Sequence, residues 1–121
     1  MKKAKSDEAK KTVLNREKGL LRVAGDEALF KELLKSFREE WEGWWDEMEL
    51  ALEADESGEV MRYAHTIKGS ADTIGADEVT AKSRQIEALA RSEEMEEVRE
   101  ALPGLGRALE RLDKQMAIEI D

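Results

Sequence analysis

The sequence contains no cysteine, one histidine, one proline and only six aromatic residues in a chain of 121 residues. The absence of cysteine excludes disulfides, thiolate zinc sites and cysteine nucleophiles. The few aromatic residues, the lone proline and the lack of any period-two alternation of apolar residues point away from β structure. No apolar run approaches the roughly 18–20 residues of a membrane span, and no signal-peptide core follows the start. These absences predict an all-α protein of the cytoplasm.

The charge is unevenly distributed along the chain. The net charge is −9, yet the first eleven residues, MKKAKSDEAKK, carry five lysines against one aspartate and one glutamate. An acidic body argues against nucleic-acid binding, which requires basic surfaces. The length suits a single domain. We therefore predict a basic, flexible N-terminal arm over residues 1–11 and one helical domain over residues 12–121.

Apolar residues recur every three or four positions in several stretches, as in amphipathic helices. The first three stripes are Phe30, Leu34, Phe37, Trp41, Trp44, Met48 and Ala51; Val60, Ala64, Ile67, Ala71 and Ile74; and Met95, Val98, Leu102, Leu105, Leu109, Leu112 and Met116. A fourth, weaker stripe holds Val79, Ile86, Leu89 and Ala90. Short connections between these helices predict an antiparallel up-down-up-down four-helix bundle, with a short leading helix in the segment VLNREKGLLRVA.

Three residues mark where these helices begin, end or bend. Asp26 is placed to cap the N-terminus of the first long helix. Gly75 is suited to the left-handed conformation that ends the second. Pro103 falls inside the last stripe, whose three-four spacing continues across it. We therefore predict one kinked helix there rather than two separate helices.

The only histidine lies on the margin of the second predicted helix. With Val60 at zero on a helical wheel, His65 falls at about 140°, Lys68 at about 80° and Gly69 at about 180°. His65 is thus predicted on the solvent side of the buried stripe, with Lys68 one turn away. A glycine in an exposed helix interior costs about 1 kcal/mol relative to alanine. Gly69 therefore indicates that another surface approaches the imidazole closely.

These residue types suit phosphoryl transfer. Neutral imidazole, with an ordinary pKa of about 6.5, is a nucleophile at physiological pH. A phosphoryl group on its ring would be a dianion that the Lys68 ammonium can pair with. The sequence holds neither GxxxxGK[ST] nor GxGxxG. We therefore expect a phosphocarrier that receives and passes on phosphoryl groups, with no ATP site, cofactor or metal of its own.

The stretch AHTIKGSADTIGA, residues 64–76, resembles the signature of histidine-containing phosphotransfer (HPt) domains, which have a Lys-Gly pair three and four residues after the histidine and a glycine ten residues after it. The similarity extends over roughly residues 12–116. It implies a four-helix bundle and a monomeric phosphorelay intermediate. Its partners would be receiver domains of response regulators or hybrid sensor kinases, and any Mg²⁺ would belong to the receiver.

The resemblance also implies roles for individual residues. His65 would be phosphorylated, Lys68 would stabilise the phosphoryl group, Gly69 would give room for it and for the partner, and Gly75 would serve the helix end. Asp72 departs from the family, which usually has a small residue there. It is either a plain exposed charge that pairs weakly with Lys68, or a modulator that competes for Lys68 and lowers phosphohistidine stability.

Other readings of the sequence remain. A scaffolding bundle would explain the apolar stripes but not the grouping of His65, Lys68 and Gly69. A di-iron carboxylate bundle needs Glu-x-x-His on two helices, and a chain with one histidine excludes it. The chain could also be an excised phosphoacceptor domain of a chemotaxis-type or hybrid histidine kinase. Trp45 lies off the centre of its stripe, where it would either pack at the boundary or anchor a partner.

Overall fold

The computed structural model describes residues 12–121, and the predicted basic arm lies outside these described residues. The described part of the chain is all-helical, with five helices and no strand. The helices are α1 (Arg16–Arg22), α2 (Glu27–Glu53), α3 (Ser57–Ile74), α4 (Asp77–Arg91) and α5 (Met95–Ile120). The all-α prediction and the short leading helix are confirmed.

Each of the four long helices packs mainly against two of the other three. Contacts join α2 to α3, α3 to α4, α4 to α5, and α5 back to α2, while the short α1 lies against α2 and α3. The helix that carries His65 is therefore flanked by α2 on one side and by α4 on the other. Side chains of α4 are close enough to take part in any site that α3 builds.

The predicted stripes form the core. All five stripe positions of α3 and all seven of α5 are buried. In α2 the buried residues include every predicted position except Trp44, which is half-buried and packs edge-on against Phe37 with ring centroids 5.9 Å apart. Leu89 of α4 is half-buried as well. The helical periodicity of the sequence therefore identifies the inward faces of the helices. The residues that are only half-buried lie at the edges of these faces.

The helix ends follow from the capping residues. The side chain of Asp26 accepts a hydrogen bond from the backbone N–H of Leu29, which confirms it as the N-cap of α2. Gly75 ends α3 in the left-handed conformation at a φ of 83°, again as predicted. The backbone N–H of Asn15 donates to the carbonyl of Gly75 at 2.8 Å. The segment that leads into α1 is thereby attached to the turn between α3 and α4.

Two glycines allow this attachment. A Cβ on Gly19 of α1 would lie 2.5 Å from a ring carbon of Phe30 and 2.6 Å from the carbonyl oxygen of Ile74. A Cβ on Gly75 would clash with the carbonyl oxygen of Asn15. Because both approaches involve backbone atoms, no side chain could move aside to relieve them. α1 can lie this close to the end of α3 only with glycine at both positions.

A single helix, α5, passes through Pro103. Proline removes one backbone donor and disfavours a helix interior by about 3 kcal/mol. The buried residues Leu102 and Leu105 lie on either side of it and stay in one stripe, so burial of a continuous apolar face offsets the loss. The prediction of one helix rather than two is confirmed; the kink stays a prediction.

Replacement of the buried Ser83 of α4 is expected to stabilise the protein. Its side chain is fully buried, and its hydroxyl oxygen has no hydrogen-bond partner among the described residues. Because an unsatisfied buried hydroxyl is unfavourable, Ser83→Ala should raise the free energy of unfolding by about 1 kcal/mol, as measured by urea denaturation. Thr80→Val is the control, since the Thr80 hydroxyl does donate to Ala76 and its removal should give no gain. Equal effects of the two substitutions would contradict this account.

Candidate functional site

The only histidine lies on the exposed flank of α3, as the helical wheel predicts. Its neighbour Ala64 and the core residue Ile67 are fully buried, whereas 66% of the His65 side chain is exposed. Lys68 follows one turn later on the same flank and is half-buried. The imidazole is therefore open to an approaching protein, while the ammonium group of Lys68 is partly shielded from water.

A buried carboxylate from the neighbouring helix contacts both residues. Glu87 of α4 exposes only 6% of its side chain. Its Oε2 atom lies 2.8 Å from Nδ1 of His65, and its Oε1 atom lies 2.6 Å from Nζ of Lys68. One carboxylate thus joins the imidazole and the ammonium group and fixes their positions relative to each other.

The ionisation of Glu87 decides which tautomer the neutral imidazole adopts. Burial raises the pKa of Glu87, but hydrogen bonds with Lys68 and His65 outweigh this effect, and the pKa lies below its ordinary value. The carboxyl group is therefore ionised at neutral pH and can only accept hydrogen bonds. Nδ1 of His65 must then donate. In the neutral ring this leaves Nε2 without a hydrogen, and its lone pair is available for attack.

A second cation borders the same carboxylate. One guanidinium nitrogen of Arg91 lies 3.3 Å from Oε2 of Glu87, one turn along α4. The Arg91 side chain is 63% exposed, so most of its five N–H donors are free to bind another group. The imidazole is thus flanked by a half-buried ammonium group and an exposed guanidinium group in a protein whose net charge is −9.

Gly69 leaves open space beside this site. It is exposed in the interior of α3, and a Cβ built on it would meet no atom within 4 Å. Packing among the described residues therefore does not require glycine at this position, unlike at Gly19 and Gly75. The bare backbone is consistent with the prediction that another surface approaches here.

Asp72 has different partners from those that the sequence indicated. Its carboxylate lies 3.8 Å from Nζ of Lys18 and 3.6 Å from a guanidinium nitrogen of Arg22, both on α1. Lys68 is paired with Glu87 instead. The Asp72 carboxylate thus pairs with cations of α1, and the predicted weak pairing of Asp72 with Lys68 is not formed.

The site residues predicted from the sequence therefore fall into two groups. His65, Lys68 and Gly69 lie together on the exposed flank of α3. Asp72 and Gly75 belong to the other end of the helix, where α1 is attached. Gly75 serves the helix end, as expected, and takes no direct part in the contacts around the imidazole.

Sequence reasoning missed Glu87 and Arg91. A signal was present, because Thr80, Ser83, Glu87 and Ala90 follow the three-four spacing of a buried helical face. A carboxylate at a buried position must be paired, since an isolated buried charge is very unfavourable. The spacing could therefore have predicted that Glu87 pairs with a cation or a histidine on another helix. It could not have identified which residue that partner is.

The model of one protein family, the Hpt domain, matches residues 32–115. The chain belongs to the Hpt domain family. Hpt domains are histidine phosphotransfer modules of two-component phosphorelays and interact with receiver domains of response regulators and with kinases. The match confirms the resemblance that the sequence indicated, and the only histidine lies inside the matched range.

The matched range spans most of the four long helices of this Hpt domain and begins after α1. No curated protein and no solved structure matches the chain. Within residues 12–121, no helix is both long and apolar enough to cross a membrane. The same residues contain no cluster of three histidine, aspartate or glutamate side chains that could hold a metal ion.

Proposed function

We propose that this Hpt domain is a phosphorelay intermediate in which Nε2 of His65 accepts a phosphoryl group from the aspartate of a receiver domain, or from a kinase, and passes it to the aspartate of another receiver. The observation that supports this most directly is the hydrogen bond between His65 and Glu87, because it leaves the exposed ring nitrogen as the nucleophile. The chain would act as a phosphocarrier rather than as a kinase.

The transfer step balances without any movement of a proton. The lone pair of Nε2 attacks phosphorus and forms an N–P bond, while the P–O bond to the aspartyl oxygen breaks and releases a carboxylate. The ring becomes positively charged, because Nδ1 keeps its hydrogen. Glu87 stabilises this charge at the atom where the hydrogen lies, as a carboxylate does for a catalytic histidine in hydrolases. Transfer to a second receiver reverses these bond changes.

The cations around the ring support the phosphorylated state. The phosphoryl group adds close to two negative charges beside Lys68 and Arg91. Lys68 can shift one of its three N–H donors from Glu87 to a phosphoryl oxygen while it keeps contact with the carboxylate. Arg91 has free donors at the surface. This division of roles makes Lys68 the inner cation and Arg91 the outer one.

The proposal also covers the fold and the domain that carry the site. We infer that the four long helices form an antiparallel up-down-up-down bundle, since two or three residues connect each to the next and each contacts two neighbours. Residues 12–121 would be one domain that acts as a monomer in the cytoplasm. Gly69 would give room for the partner, while Asp72 would influence the site only indirectly, through its ion pairs with α1.

A transfer assay tests the proposal. Receiver domains charged with a small phosphodonor are mixed with the full chain, and the chain is examined for acid-labile, base-stable phosphate. We expect label on the peptide that contains His65, and the receiver that transfers fastest identifies the partner. If the folded chain takes no label from any receiver or kinase, the relay proposal is wrong and a bundle that binds partners without chemistry replaces it.

Removing the carboxylate should slow transfer. We expect Glu87→Ala to reduce the rate of phosphorylation of His65 by about 10- to 100-fold, because the imidazole loses its fixed tautomer and the partner for its positive charge. Glu87→Gln keeps a hydrogen-bond acceptor for Nδ1 and should recover part of the rate. Glu97→Ala, at an exposed carboxylate of α5, is the control. Equal rates for the alanine and glutamine variants would show that Glu87 acts only through stability.

Substitutions that fill the space at Gly69 should change the stability of the protein and its rate of phosphoryl transfer in opposite directions. Gly69→Ala should stabilise the helix by about 1 kcal/mol, because alanine favours helices. Transfer should fall by about tenfold for Gly69→Ala and about 100-fold for Gly69→Leu, as the partner is displaced from the ring. Gly43→Ala, at an exposed glycine of α2 with equally open surroundings, should leave transfer unchanged. Unchanged transfer in Gly69→Leu would show that no partner surface comes close to this residue.

A further inference from the structure

An open apolar cleft lies between α2 and α5, away from the helix pair that carries His65 and Glu87. Its volume is about 500 Å³, within the range of sites that hold ligands or partner side chains. Leu52, Leu102 and Pro103 contribute apolar surface, and the half-buried Trp45 forms one wall. The cleft has no part in the phosphoryl transfer proposed above.

The sequence of α5 explains why this seam is open. Pro103 is exposed, and Gly106, which lies one turn further along this face of the helix, has no side chain to cover the seam. Trp45 lies against the backbone of α5: a Cβ on Gly106 would be 3.0 Å from its ring. The indole is therefore held in a defined position, with cleft on both sides of it.

The rim of the cleft carries uncompensated negative charge. Glu49 and Glu53 are one turn apart on α2, and neither forms an ion pair with any residue in the range 12–121. Like charges at this spacing destabilise a helix. Arg99 is the cation of the cleft, but its guanidinium group already contacts Asp55 and Glu96. A cation supplied from outside would relieve the repulsion between the two glutamates.

The acidic surface continues beyond Trp45. A second cleft of about 260 Å³ on the other side of the indole is lined by Glu42, Asp46 and Glu110, together with Trp41 and Gly106. From Glu42 to Glu53 the seam extends for about 16 Å along α2, or three helical turns. One row of carboxylates on α2, with Glu110 opposite it on α5, borders the apolar floor. This arrangement is complementary to a basic amphipathic helix of similar length.

We propose that this seam, formed by α2 from Glu42 to Glu53 and by α5 from Arg99 to Glu110, docks a basic amphipathic helix of a partner protein. Apolar side chains of that helix enter the clefts on either side of Trp45. Its lysine or arginine side chains pair with the glutamates of the rim and stack against the indole, which attracts cations. The chain could then bind this partner while His65, on α3, stays open to a receiver.

Titration of the ¹⁵N-labelled full chain tests the proposal. The probe is a synthetic helical peptide with leucine at every third or fourth position and arginine elsewhere, and glutamate replaces arginine in the control peptide. We expect the basic peptide to shift the indole N–H signal of Trp45 and the amide signals of the seam, and to leave those of His65 and Gly69 in place. Signals that stay fixed at millimolar peptide overturn the proposal.

Matched variants distinguish a specific seam from general attraction to an acidic protein. The double variant Glu49→Gln/Glu53→Gln should weaken binding of the basic peptide by about tenfold. Glu17→Gln/Glu39→Gln makes the same charge change at exposed positions off the seam and should retain the affinity within about twofold. Equal weakening by both overturns the proposal. A shift of the Trp45 signal on deletion of residues 1–11 also overturns the proposal, because the seam would then bind the chain's own N-terminal segment.

Discussion

Replacing His65 with glutamine is expected to abolish all acid-labile phosphate on the chain while leaving its stability unchanged. Glutamine has no nucleophilic nitrogen, and the described residues offer no second imidazole. The side chain at this position is 66% exposed, so its substitution removes little packing. The measurement is phosphate incorporation from charged receivers, followed beside urea denaturation of the same two proteins.

Urea denaturation of both proteins shows whether the loss of phosphate is due to a loss of folding. Glu87 keeps its ion pairs with Lys68 and Arg91 when His65 is replaced, so the buried carboxylate retains partners. We expect the free energies of unfolding to agree within about 0.5 kcal/mol, as for exposed substitutions generally. Acid-labile phosphate on the folded glutamine variant would mean that another residue carries the phosphoryl group, and the relay would not pass through His65.

The largest loss of stability is expected from Gly75→Ala. A residue with a Cβ in the left-handed conformation costs roughly 1–2 kcal/mol, and the clash with the Asn15 carbonyl adds about 1–3 kcal/mol. The free energy of unfolding should therefore fall by about 2–5 kcal/mol, as measured by urea denaturation. Because the clash lies where α1 is attached, the amides of α1 should also lose protection from hydrogen exchange.

Gly43→Ala provides the matched control for this loss. Gly43 has helical surroundings, and a Cβ on it would meet nothing within 4 Å. Alanine should therefore stabilise the protein there by about 0.5–1 kcal/mol. A loss at Gly75 of no more than about 0.5 kcal/mol would show that the turn between α3 and α4 rearranges, and that the attachment of α1 is less rigid than its hydrogen bonds indicate.

Much of the fold could be predicted because burial and helical periodicity coincide. The α3 and α5 stripes are buried at every predicted position, and Asp26 and Gly75 end helices as capping rules require. The exception in α2 is informative. Trp44 continues the spacing of its stripe, but its ring is half-buried against Phe37 and borders an open cleft, whereas Trp41 of the same stripe is buried. The spacing predicts which side of the helix a residue faces, and the packing of the other helices decides how completely it is covered.

The candidate site was predictable only where it depends on one helix. The exposed flank that holds His65, Lys68 and Gly69 follows from local geometry, because all three residues lie within two turns of α3. Glu87 lies on another helix, and its pairing depends on how α3 and α4 pack. Asp72 fails as a partner of Lys68 for the same reason, since the approach of α1 offers it two other cations.

The attachment of α1 to Gly75 has a consequence for the order in which the chain acquires its structure. The first described residues are held by backbone hydrogen bonds to the turn after α3 and to the first turn of α4: Asn15 donates to Gly75, and the carbonyl of Thr12 accepts from Glu78. During synthesis, the N-terminal segment leaves the ribosome long before this turn exists. α1 therefore cannot take its final position until α2 and α3 have been made, and residues 12–22 are among the later parts of the described chain to become ordered.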